Sequence, residues 1–233
     1  MTENMSNYEF LFSIVEGRVE ELEELLKDNP DSKNLVNDKG PNDRTPMHLA
    51  AGAGKVEIMR CLKKYGADIY ARDDGDLSPM DSAIANNQIE SIKCLKELGF
   101  DLEAKNSEYR TPIFSAVILG KIESIKRLKE LGADVNAKDH NKLTPIFVAA
   151  MAGQVASIEW LVALGADINA TEKYGCTPIF LATFYGQTES MKCLKELGAD
   201  LAKNGINLME AAKEADHSED SEVFVVLKKL LDT

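Results

Sequence analysis

The chain has 233 residues, of which 44% are hydrophobic and 28% charged, a composition that supports a sizeable folded core. Its formal charge of −12 disfavours a nucleic-acid phosphate backbone as partner and favours basic proteins. No apolar run approaches the ~18 residues of a membrane-spanning helix. The four cysteines form no CxxC pair, which argues against a zinc knuckle and for a reducing interior.

Residues 1–40 hold 10 acids against 4 bases. They lack a basic n-region and do not read as a secretory signal. The stretch NYEFLFSIVEGRVEELEELL (7–26) predicts two helices broken at Gly17, followed by a long polar loop, KDNPDSKNLVNDKGPNDR. From residue 41 the chain repeats. Thr45-Pro46, Ser78-Pro79, Thr111-Pro112, Thr144-Pro145 and Thr177-Pro178 are each 33 residues apart, and Gly66, Gly99, Gly132, Gly165 and Gly198 keep the same step. So do Gly54, Asn87, Gly120, Gly153 and Gly186.

Each period has a physical reading. Thr or Ser before Pro predicts an N-cap, with proline at the first helical position where no amide bond is lost. A short apolar helix such as IFVAAMA (146–152) follows and stops at a residue able to turn left-handed. A second helix, such as ASIEWLVAL (156–164), ends at the next glycine, and a turn-rich loop leads to the next Thr-Pro. Residues 203–233 carry 7 acids and 4 bases. There GINLMEAA (205–212) repeats GCTPIFLA at a step of 30, so the loop before it is shorter. A helix pair of this size cannot bury its apolar face alone and must stack on neighbours.

TPMHLAAGAGKVEIM and LGADVNAKDHNKLTPIFVAA resemble the ankyrin repeat, with its TPLHxA start, mid-repeat glycine and GADVN. The resemblance implies an all-α solenoid of helix-turn-helix-loop units spanning 1–233, about seven in number. Residues 41–202 would be five regular repeats, with 1–40 and 203–233 as degenerate capping repeats. It also implies that His48, in the TPLH slot, bonds a neighbouring loop, and that Asn136 and Asn169 occupy positions that can be hydroxylated in the family or simply form turns.

In ankyrin arrays the loop tips and the end of the first helix line one concave face. The two residues at that helix end read Gly52 and Ala53, Ala85 and Asn86, Ile118 and Leu119, Met151 and Ala152, Phe184 and Tyr185. The residue three after each cap reads His48, Asp81, Phe114, Phe147 and Phe180. The later copies therefore concentrate large apolar groups, and aligned exposed aromatics and Met suit an interface centre. The candidate partner-binding residues are Ile118, Leu119, Met151, Phe184 and Tyr185. Tyr109, His140, Lys142, Tyr174 and Cys176 form the adjacent rim, Cys176 as an accessible thiol. The three Phe either join this face or pack between repeats. Asp43, Asp73, Asp74 and Asp76 are expected to steer a basic portion of the partner.

No catalytic, cofactor or metal site is expected. AGAGKVE (51–57) lacks the glycine and hydroxyl of a phosphate loop, with Leu49 and Val56 in those places. His48, His140 and His217 fall at three different repeat positions and share no metal geometry. Cys61, Cys94 and Cys193 share one slot and read as small core residues. The expected role is a monomeric, cytoplasmic adaptor (the nucleus being the other compartment) that binds proteins and neither nucleic acid nor membrane. Two alternatives are a gankyrin-like proteasome assembly chaperone, similar in architecture only, and a secreted ankyrin effector.

Overall fold

A computed structural model describes residues 10–205 and 207–232. The sequence readings at residues 1–9, Ile206 and Thr233 lie outside the described residues. Helices account for all regular structure among them. A helix at residues 10–16 (α1) is followed by α2 (Val19–Lys27) and a one-turn α3 (Ser32–Leu35). Six further pairs follow: α4 (Pro46–Gly52) with α5 (Val56–Lys64), α6 (Pro79–Ala85) with α7 (Ile89–Glu97), and α8 (Pro112–Ile118) with α9 (Ile122–Glu130). The last three are α10 (Pro145–Met151) with α11 (Val155–Ala163), α12 (Pro178–Phe184) with α13 (Thr188–Glu196), and α14 (Leu208–Glu214) with α15 (Glu222–Leu231).

The described residues divide into two compact units, one of 10–107 with 130–132 and one of 108–129 with 133–232. In each, seven-residue helices mostly alternate with nine-residue ones, apart from the four-residue α3 and the ten-residue α15. Neither length is stable alone in water, so burial holds them. Within α7, Ile92, Cys94 and Leu95 are buried, and in α13 the same places hold Met191, Cys193 and Leu194. The cysteines of this slot are indeed core residues. Asn87 takes the left-handed turn at φ 54° that glycine supplies at Gly153, φ 70°. In the first unit the longer first loop, with α3, encloses an apolar cavity of about 280 Å³ between Phe10, Leu35, Pro46 and Leu49.

A latch recurs between several loops and the next repeat. Asn136 donates through Nδ2 to the carbonyl of Gly165 (3.0 Å) and accepts the amide of Asp167 on Oδ1 (2.8 Å). Asn37 makes the same pair with Gly66 and Asp68. Asn169 accepts the amide of Asp200 at 2.8 Å. Tyr70 stands in that slot in the first unit, and its hydroxyl performs both halves, donating to Gly99 O (3.0 Å) and accepting from Asp101 N (2.8 Å).

Thr or Ser stands at each expected N-cap, but the caps split into two kinds. Thr45 N–H donates to Nδ1 of His48 (3.2 Å), and the Thr45 hydroxyl lies 2.8 Å from the same nitrogen. Nε2 therefore carries the hydrogen and donates to the carbonyl of Leu77 (3.0 Å). Ser78 and Asp81 form a capping box, with Ser78 N–H on Asp81 Oδ2 at 2.8 Å. Where Phe fills the slot, nothing on it can accept. The buried hydroxyls of Thr111, Thr144 and Thr177 have no hydrogen-bond partner in the protein.

Candidate functional site

All ten candidate residues lie in the second unit. They fall into two rows, set by the short helices α8, α10 and α12. Each of these begins at a proline against a loop and is seven residues long. Within the unit α10 packs against both α8 and α12.

The row at the helix ends is apolar and open. Ile118 and Leu119 are 46% and 47% exposed, and Tyr185 is 50% exposed. Met151 and Phe184 are half-buried. The Phe184 and Tyr185 rings meet edge to face, with centroids 5.5 Å apart and planes at 71°. The carbonyl of Phe184 accepts from Nε2 of His217 at 3.1 Å. His217 also lies against Gly186, where an added Cβ would come within 2.9 Å of its ring. Sequence reasoning missed this support. The acidic insertion at 216–222 was its only signal.

The Phe slot resolves the other way. Phe114 and Phe147 are fully buried and belong to the core, while Phe180 is half-buried. Between the two rows the half-buried residues are Ser115, Val148 and Leu181. Helical spacing puts Ser115 on the face of Ile118 and Leu119.

The loop row is built on tight turns. Asp139 N–H donates to Leu143 O (3.0 Å), and the Asp139 carboxylate accepts the amides of Asn141 (2.8 Å) and Leu143 (3.0 Å). Glu172 does the same for Tyr174 (2.7 Å) and Cys176 (3.0 Å). At the tips, Tyr109 and Lys142 adopt left-handed φ values of 62° and 63°, where glycine stands at 175. Tyr109 is 58% and Tyr174 79% exposed. His140 is exposed, and its Nδ1 lies 3.1 Å from the carbonyl of Glu108. Cys176 is half-buried. Burial first, then the Glu172 carboxylate, pushes its thiol up to about 11, so it stays protonated near neutral pH and is not an activated thiol.

Of the four acids expected to steer a partner, Asp74 is exposed and the other three are engaged. Asp73 is buried, ion-paired to Arg44 at 3.3 Å, and takes the amides of Gly75 and Leu77. Asp43 pairs with Lys39 at 3.1 Å. Asp76 accepts the amide of Ser107 at 2.7 Å, which holds its carboxyl below the usual range. Loop geometry thus takes up the Asp73 and Asp76 carboxylates, which composition alone cannot show.

Among the described residues no group of three His, Cys, Asp or Glu could hold a metal ion, and no helix is long and apolar enough to cross a membrane. A family model described as "Ankyrin repeats (3 copies)" matches residues 11–106, 82–172, 113–205 and 146–225. The chain belongs to the ankyrin-repeat family. Among curated proteins it is similar to the Notch-regulated ankyrin repeat-containing protein of Homo sapiens and of Mus musculus, each 34% identical over 67 residues. That match covers 28% of this chain and 59% of each relative. The human ASB11 ankyrin repeat domain shares the fold, with a TM-score of 0.72 over 95% of this chain and 96% of that one at 21% identity. Ankyrin repeats are generally protein–protein interaction modules, and the fold is typically a non-enzymatic scaffold.

Proposed function

We propose that this ankyrin chain is an adaptor that docks a partner protein on the concave side of its short helices. Ile118, Leu119, Met151, Phe184 and Tyr185 serve as apolar anchors, and Tyr109, His140, Lys142, Tyr174 and Cys176 as rim. Residues 1–40 and 203–233 act as capping repeats around the five regular ones, and the setting is cytoplasmic. One observation carries the reading: helix-end slots occupied by Gly52, Ala53, Ala85 and Asn86 in the first unit hold the exposed Ile118, Leu119 and Tyr185 and the half-buried Met151 and Phe184 in the second. The fold is satisfied by the small residues, so the large ones answer to something else. Apolar surface on successive helices about 8–10 Å apart forms a patch of the kind that marks interaction sites. Burying it against a partner supplies the driving force, and aromatic and Met side chains suit the dry centre.

The test is affinity purification from native lysate with wild type and the Phe184→Ala/Tyr185→Ala double variant. Recovery of co-purifying proteins should fall by roughly tenfold or more. The thermal transition, followed by circular dichroism, should still show a folded array. Equal recovery from both baits would remove the site.

A further inference from the structure

The second unit offers more than an apolar ledge. Seven residues of helix rise about 10 Å, so loop row and ledge are separated by roughly that distance. A helix with its side chains is about 10–12 Å across. Ser115, Val148 and Leu181 form the intervening floor and carry no charge. α8, α10 and α12 hold no charged residue at all (PIFSAVI, PIFVAAM, PIFLATF). A trough of this width and floor accommodates one amphipathic helix.

The loop row has a sign, and it is opposite to that of the chain. Lys138, Lys142 and Lys173 are exposed, and among the described residues no carboxylate forms an ion pair with any of them. The acids flanking these lysines are engaged by other groups, while Asp134 and Asp167, earlier in the same loops, are exposed. Asp139 is buried and sits 3.5 Å from Arg110, Glu108 pairs with Arg110, and Glu172 is turned onto the amides of Tyr174 and Cys176. At the loop tips Arg110, Lys138, Lys142 and Lys173 stand against Glu108, Asp139 and Glu172, a local excess of one positive charge on a protein of net charge −12. Beyond Tyr185 the sign reverses, because α14 exposes Glu210 and Glu214.

Resting on the docking face proposed above, we propose that its occupant is an amphipathic helix with an acidic flank. Its carboxylates lie over Lys138, Lys142 and Lys173, its apolar stripe meets Ile118, Leu119, Met151 and Tyr185, and its acids stop short of α14. This reverses the basic partner that net charge alone suggests. Local uncompensated charge steers encounter and fixes register, whereas distant charge is screened over about 8–10 Å.

The experiment selects random peptides of about 16 residues, roughly 24 Å of helix, displayed on phage against the purified full chain. The expected winners are net acidic, with large apolar residues spaced three and four apart. Their synthetic versions should lose about tenfold or more in affinity on Lys142→Glu with Lys173→Glu, on Tyr185→Ala, and on raising salt from ~0.05 to ~0.5 M. Both lysines are exposed, so the charge reversals leave packing alone. Basic or neutral winners that still depend on Tyr185 would overturn the acidic helix and leave the docking face standing. Winners indifferent to Tyr185→Ala, or no enrichment at all, would overturn both.

Discussion

His48 and Asp81 in the first unit and Phe114 and Phe147 in the second occupy one repeat slot and close the same turn by different physics. The polar pair satisfies the cap directly, His48 reaching Thr45 and the Leu77 carbonyl and Asp81 taking the Ser78 amide. The rings satisfy nothing. They fill space, are wholly buried, and leave the Thr111 and Thr144 hydroxyls stranded. Hydrogen bonds each contribute about 1 kcal/mol net, whereas a buried Phe contributes about 1.5–3 kcal/mol, so either closure suffices. The helix ends differ in parallel. A Cβ on Gly52 would come within 3.2 Å of the Asn86 side-chain amide, so a larger residue there requires Asn86 to shift. Ile118 and Leu119 project into open space. The 33-residue frame therefore tolerates exchange at slots whose contacts are redundant, and those are where specificity can be written.

The largest test of the comparison is Phe147→Ala. Truncating a fully buried ring leaves a cavity as well as lost transfer energy, and about 3–5 kcal/mol of stability should go. Urea titration followed by circular dichroism measures it. A loss below about 1 kcal/mol would mean that the ring does not hold the second unit together.

The sequence made the helices and their period legible because proline, glycine and the apolar spacing act locally. The family resemblance placed His48 correctly, since its Nε2 bonds the carbonyl of Leu77 in the neighbouring loop. The sequence left Phe114 and Phe147 divided between core and groove, because burial depends on the neighbouring repeat and not on the residue's own helix. Asp73 was misread for a related reason. An acid at a loop tip looks free in one dimension, and only the folded turn brings the Gly75 and Leu77 amides onto it. The openness of Tyr185 was readable from its slot. Its support by His217 was not, because the insertion at 216–222 breaks the register that makes the other copies comparable.

A middle-sized effect separates the two closures by pH. Burial, the largest influence on His48, lowers its pKa below 6.5 despite the Leu77 bond and nearby Asp73. The folded chain thus holds the neutral imidazole. Its contribution is complete above the unfolded value near 6.5 and is lost as pH falls through the folded one, at up to about 1.4 kcal/mol per pH unit. Phe147 has no such dependence. Wild type should lose stability between pH 7.5 and pH 5.5, and His48→Phe should flatten that slope in paired urea titrations. An unchanged slope would place the proton elsewhere.

The smallest effect is the sharpest discriminator, because the same substitution is made at equivalent positions. Thr45→Val removes a hydroxyl that engages His48 and should cost about 1–2 kcal/mol. Thr144→Val replaces a buried hydroxyl without a partner by a methyl of nearly the same shape. It should be neutral within about 0.5 kcal/mol or slightly stabilising, since no hydrogen bond is lost and one polar group no longer needs burying. The two urea midpoints therefore move by different amounts although the chemical change is identical. Equal losses would show that the Thr144 hydroxyl is bonded after all, and the division into a polar and an apolar closure would collapse.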